Sequence, residues 1–158
     1  MKKEKEKIKA QLIKSLEVYK KKLGFHFFDL PDSSFQSSEF VLDDNDVEVL
    51  LMDLGNSNWI LLTTKCLFIN QDNTINRVDG LEIEKFKFLN QEQGRRRRKA
   101  LELKNHGEYK RWLYSGDFKI IKKDNTNVVV NLPHHDFGFS MYKIIDKLRF
   151  VTDKYEGI

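Results

Sequence analysis

The chain has 158 residues, of which 40% are hydrophobic and 33% are charged, and this composition is typical of a folded domain, which excludes wholesale disorder. The single cysteine, Cys66, excludes an internal disulfide framework and a zinc-finger pattern, and it favours a reducing, cytoplasmic location. No apolar run approaches the roughly 20 residues of a membrane-spanning helix, so the sequence predicts no membrane insertion.

Charge is segregated along the sequence, although the formal net charge is only +4. Residues 1–24 carry nine Lys and three Glu, residues 25–58 carry eight acids and neither Lys nor Arg, and the remainder carries a net +6. The total therefore does not by itself indicate a polyanionic partner. Oppositely charged segments either neutralise one another or face water.

The first predicted element is an N-terminal amphipathic helix within residues 1–24. Apolar side chains recur on one helical stripe at Ile8, Leu12, Leu16, Tyr19 and Leu23, and Gly24 supplies the stop. This stripe needs a partner surface, which is either the same domain or a second chain. An acidic connector, residues 25–45, follows without a sustained period.

Residues 46–158 are predicted to form one globular unit that begins with short strands. The separators between the strands are turn-forming Gly, Asn, Asp and Ser clusters, and the spacing leaves no room for parallel crossovers. The predicted strands are residues 47–53, 58–63, 66–70, 81–89, 99–104, 109–114, 118–122 and 127–132.

The last predicted element is an amphipathic helix with Asp136 as its N-cap. Its apolar positions are Met141, Ile144, Ile145, Leu148 and Val151. The fold class predicted from these elements is α+β, with an antiparallel meander sheet or a partly open small barrel, an N-terminal helix and a C-terminal capping helix.

The segment Trp59-Ile-Leu-Leu-Thr-Thr-Lys-Cys-Leu-Phe-Ile69 resembles the second and third strands of bacterial pleckstrin-homology-like domains. The order of elements over residues 47–152 is similar to that superfold as well. The resemblance implies a partly open barrel with the last helix plugging one end, and a role in binding a protein, peptide or lipid without catalysis. The loop at residues 54–58 has no Lys or Arg, so specific binding of phosphoinositides is not expected.

The densest positive charge is a candidate binding segment formed by Arg95, Arg96, Arg97 and Arg98, followed by Lys99. Guanidinium groups bind phosphate and carboxylate, so the segment suits either a nucleic acid or an acidic protein. A solvated loop is the third interpretation. No aromatic residues that would stack on bases are interleaved with it.

Two further candidate surfaces were identified in the sequence. Asp43, Asp44 and Asp46 form an acidic patch that could steer a basic protein surface, or that simply leads into a strand. They do not form an EF-hand, because the glycine required at the sixth position is absent. Arg111 and Trp112, on the predicted strand 109–114, suit a protein interface.

The run His134-His135-Asp136 is interpreted as a strand-to-helix junction and not as a metal or catalytic site. Neighbouring side chains on an extended segment point in opposite directions, so two adjacent imidazoles would not reach one metal ion without a turn. Cys66 is predicted to be a buried apolar position. The sequence thus predicts no catalytic residue, no metal and no cofactor.

These observations favour a non-enzymatic protein-binding domain, and one version of it is a bacterial immunity-type protein that neutralises a toxin through its acidic patch. The alternative is a nucleic-acid or anionic-surface binder that uses residues 95–99 and the lysine-rich first helix. The oligomeric state does not follow from the sequence.

Overall fold

The computed structural model describes residues 2–28, 42–43, 45–94 and 106–155, and over these residues the protein is α+β with a helix at each end and two antiparallel sheets. The helices are α1 (Lys2–Ser15), α2 (Leu89–Gly94), α3 (His106–Leu113) and α4 (His135–Lys154). The strands are β1 (Phe25–Phe27), β2 (Glu48–Gly55), β3 (Asn58–Thr63), β4 (Cys66–Gln71), β5 (Thr74–Asp79), β6 (Ile83–Phe88), β7 (Gly116–Lys122) and β8 (Asn127–Leu132). Short 3₁₀ turns lie at Glu17–Tyr19 and Gly80–Glu82.

The chain divides into two compact units, the first formed by residues 1–81 and 143–158 and the second by residues 82–142. The α+β class, the antiparallel pairing and the terminal helices are confirmed. The strands form two separate sheets, and neither sheet is closed in the part of the chain that the structure describes.

The first unit contains a five-stranded sheet in the order β1-β2-β3-β4-β5. The β2–β3 and β4–β5 hairpins turn through the pairs Asn56-Ser57 and Asp72-Asn73, whose φ angles are all positive, as tight hairpin turns require. Strands β3 and β4 are buried on both faces, and this burial explains their nearly continuous apolar sequence.

The first helix is shorter than predicted. Ile8, Leu12 and Leu16 are buried, and α1 packs against β2 of its own chain, but the helix ends at Ser15. A 3₁₀ turn follows, in which the Tyr19 ring stacks on Phe25 with the ring centroids 5.7 Å apart. Leu23 is 96% exposed, so its place on the helical stripe was predicted wrongly, because the chain turns to bring Tyr19 onto β1.

The second unit contains a three-stranded sheet in the order β6-β7-β8. A β-bulge between Ile83 and Lys85 inserts one extra residue into β6. The buried face of this sheet carries Phe88, Phe118, Ile120, Val130 and Leu132.

The predicted strand 109–114 is wrong, because residues 106–113 form helix α3. Tyr109 and Trp112 are three positions apart and stack with ring centroids 6.2 Å apart, a contact that a helix permits. The side-chain amide of Asn90 on α2 donates hydrogen bonds to the carbonyl oxygens of Trp112, at 2.9 Å, and Ser115, at 2.8 Å. These bonds satisfy carbonyls at the end of α3.

The last helix begins one residue before the predicted cap, at His135, and the His134 carbonyl accepts hydrogen bonds from the amides of Phe137 and Gly138. Ile144, Ile145 and Leu148 are fully buried, as predicted.

Among the described residues, no helix combines the length and apolar content needed to cross a bilayer. The predicted strand 99–104 lies outside the described residues.

Candidate functional site

Asp46, predicted as part of an acidic binding patch, is internal to the first unit and only 6% exposed. Its carboxylate accepts hydrogen bonds from the Thr63 hydroxyl at 2.8 Å, the Thr64 hydroxyl at 2.7 Å and the Val47 amide at 2.9 Å. Burial raises the pKa of Asp46, and these hydrogen bonds oppose the rise. The carboxylate anchors the residues before β2 to the β3–β4 turn.

A second network of polar side chains lies along strands β4 and β5 of the same sheet. The Cys66 thiol donates to Asp79 Oδ1 at 3.0 Å, and Arg77 Nε donates to the same oxygen at 2.8 Å. Arg77 also reaches the exposed Asp43, at 3.4 Å. Cys66 is buried, as predicted, and burial raises the pKa of its thiol, so it is kept protonated and unreactive.

The remaining predicted site residues are Asp44, the four arginines of residues 95–98, Arg111 and Trp112. Asp44 and the arginines Arg95, Arg96, Arg97 and Arg98 lie outside the described residues. Arg111 is exposed and Trp112 half-buried on α3, not on a strand. Asp43 and Asp46 belong to the first unit, whereas Arg111 and Trp112 belong to the second.

A cationic surface that the sequence analysis missed lies on the outer face of the three-stranded sheet. We call it the lysine face; it consists of Lys85 and Lys87 on β6 and Lys119 on β7. Lys87 stands directly opposite Lys119 in the β6–β7 register. The register therefore places two lysines side by side on one face of the sheet.

Apolar side chains adjoin the lysine face. Ile121 pairs with Lys85, and Val129 on the edge strand β8 pairs with Lys119 and is 40% exposed. At one end, Asn131 Nδ2 donates to the Asp117 carboxylate at 3.1 Å. The surface thus combines concentrated positive charge with small apolar contacts. The pairing register that assembles it was not accessible from the sequence.

The two units differ in charge. Residues 82–142 contain 13 Lys and Arg against 8 Asp and Glu, a net of +5, which leaves −1 for the first unit out of the total of +4. All of the excess positive charge therefore belongs to the unit that carries the lysine face. The segment 95–99 belongs to the same unit by sequence.

The start of α4 brings the two adjacent histidines close together. The chain turns after Pro133, and the rings of His134 and His135 lie 4.0 Å apart instead of pointing in opposite directions. His134 Nδ1 lies 3.5 Å and His135 Nε2 lies 3.6 Å from the two carboxylate oxygens of Asp136. His134 and His135 lie at the junction between β8 and α4, and this junction supplies the turn without which two adjacent imidazoles would not converge.

Comparison with known proteins found no matching family model, no matching curated protein and no matching solved structure.

Proposed function

We propose that the protein is a non-enzymatic binding protein whose lysine face contacts an acidic surface of another protein. The observation that carries the proposal is the direct pairing of Lys87 with Lys119 beside Lys85. The neighbouring Val129 supports a protein partner, since interfaces combine apolar contact with complementary charge.

The segment 95–99 follows β6 and α2 in the sequence, and we propose that its arginines also bind acidic groups of the partner. Guanidinium groups form bidentate hydrogen bonds with carboxylates, which lysines do not. The non-enzymatic part of the proposal is supported by Cys66, whose buried, protonated thiol is unsuited to nucleophilic attack.

The immunity-type version receives less support. It relied on the acidic patch, but Asp46 is directed into the fold and Asp43 pairs with Arg77. A pleckstrin-homology-like relationship also stays a proposal. In its favour, the residues that carry the resemblance form the β3–β4 hairpin and a helix follows the last strand.

The test compares the wild type with two triple variants that lose the same charge. The face variant is K85S/K87S/K119S. The control variant is K7S/K14S/K21S, which removes three exposed lysines of the first unit. Binding of poly-glutamate is measured at low and physiological salt. We expect the face variant to lose most of the affinity, the control to keep it, and salt to weaken it in both.

The same three proteins then serve as baits in affinity capture from the native host. Acidic proteins captured by the wild type and the control but not by the face variant would support the proposal. If both variants lose the same amount of binding, the effect depends only on net charge, and the proposal is overturned. Duplex DNA bound more tightly than poly-glutamate at physiological salt, with the binding lost only in the face variant, would favour the nucleic-acid alternative.

A further inference from the structure

The start of α4 places three metal-ligating side chains around a small volume. The candidate ligand atoms of His134, His135 and Asp136 all lie within 4.8 Å of one another. The two nitrogen-to-oxygen distances, 3.5 and 3.6 Å, are close to the roughly 3.4 Å that separates ligands held at about 2.1 Å in tetrahedral geometry. The two distances end on different carboxylate oxygens, Oδ2 and Oδ1, so small side-chain rotations would bring both imidazoles and the carboxylate to one ion.

One ring nitrogen of His134 faces Asp136. The Asp136 amide donates a hydrogen bond to His134 Nδ1 at 3.1 Å, so the lone pair of this nitrogen points at the backbone of Asp136. A bound ion would replace this contact, and the amide, at an exposed helix start, would turn to water. The His134 side chain is 52% exposed, so an ion has access from solvent.

Surrounding contacts hold the ligands in place. The ring of His135 packs edge-on against Phe139, whose ring lies 4.6 Å from that of Tyr114. Gly138 lies so close to the Tyr114 carbonyl that a Cβ would overlap it. Packing around a ligating histidine fixes its orientation and strengthens metal binding.

We propose that His134, His135 and Asp136 form a binding site for one divalent transition-metal ion of the zinc class. Two imidazoles and one carboxylate match the donor preference of Zn²⁺, whereas Ca²⁺ and Mg²⁺ require mainly oxygen ligands. The positive end of the helix dipole opposes any cation here, so binding depends on the nitrogen donors. The site is independent of the lysine face.

The test is calorimetric titration of the tag-free full chain with ZnCl₂, with CaCl₂ titrated in parallel. We expect one Zn²⁺ per chain, reversal by a chelator and no Ca²⁺ binding. The variants H134N and H135Q should each weaken Zn²⁺ binding by about tenfold or more. Asparagine is a favoured N-cap, so H134N keeps the helix start.

The double variant H26A/H106A removes the other two histidines of the chain and serves as the control. It should bind Zn²⁺ like the wild type. Unfolding in the absence of metal verifies that each variant is folded, and added Zn²⁺ should raise the unfolding midpoint of the wild type and the control only. Wild-type affinity in both H134N and H135Q, loss of binding in the control, or half an ion per chain would overturn the proposal.

Discussion

The Asp46 carboxylate is buried, and the fold satisfies it with three hydrogen-bond donors: the Thr63 and Thr64 hydroxyls and the Val47 amide. The sequence suggested a surface acid, since acidic residues flank it on both sides. The partners Thr63 and Thr64 are 17 and 18 residues away, so only the pairing of β2 with β3 shows that this carboxylate is internal.

Asp46→Asn should keep the fold and change its pH dependence. The raised pKa means that the folded protein binds the Asp46 proton more tightly than the unfolded chain does. The stability of the wild type relative to D46N should therefore be greatest below the ordinary aspartate pKa and should fall as the pH rises through the raised one. Urea unfolding of both proteins across this interval measures the difference.

D146N, which changes an exposed acid on α4, is the matched control and should follow the wild type. A relative stability that increases with pH would contradict the expectation. D46A, which removes the acceptor of the Thr64 hydroxyl and leaves Thr63 only the Cys66 carbonyl at 3.3 Å, should cost about 1–3 kcal/mol at every pH.

Among the helices and strands, the sequence predicted correctly those segments whose own pattern of apolar residues shows which face is buried. The three strands β3, β4 and β8 were predicted to within one residue, and the apolar stripe of α4 is buried. Strand β5 was missed because, within Thr74–Asp79, only Val78 is buried, so the segment shows no apolar alternation.

Helix α3 was missed for a different reason. Its alternating basic and aromatic residues are typical of a half-exposed strand, and its actual state depends on Asn90, 22 residues upstream of Trp112. One signal was available: Gly116, with φ +83°, directly follows the turn at the end of α3. It was interpreted as part of a hairpin turn.

Gly138→Ala tests the close approach of α4 to the end of α3. Alanine favours a helix by about 1 kcal/mol over glycine, but here its Cβ would overlap the Tyr114 carbonyl oxygen. We expect the overlap to dominate and the free energy of unfolding to fall by about 1–3 kcal/mol. K143A, at an exposed position of the same helix, should change it little. A stabilised G138A would show that the two segments separate freely.

For the molecule as a whole, the net charge of +4 does not show how the charges are divided between the two units. The sequence shows alternating blocks of charge, but the contrast between +5 and −1 depends on where the chain divides, after residue 81 and again after residue 142. The first of these boundaries is the less obvious one. No proline, glycine-rich linker or change in hydropathy marks that boundary. Strand pairing decides it, because β6 pairs with β7 and not with β5.

This distribution predicts different behaviour for two proteins of equal net charge. The face variant and the control variant both have a formal charge of +1, three below that of the wild type. An adsorbing surface responds to local charge density, so the control variant should elute from a cation exchanger at higher salt than the face variant. Elution of both at the same salt concentration would indicate that the lysine face does not act as a patch.

The β-bulge at Glu84 has a consequence for how this sequence tolerates changes in length. Across the bulge, Ile83, Phe86 and Phe88 face inward although their spacing is irregular. Loss of Glu84 would restore strict alternation and keep all three inward, whereas loss of Lys87 would move Phe88 to the outer face. Within β6, Glu84 is therefore the position at which a residue can be lost while the inward-facing and outward-facing side chains stay on the same faces.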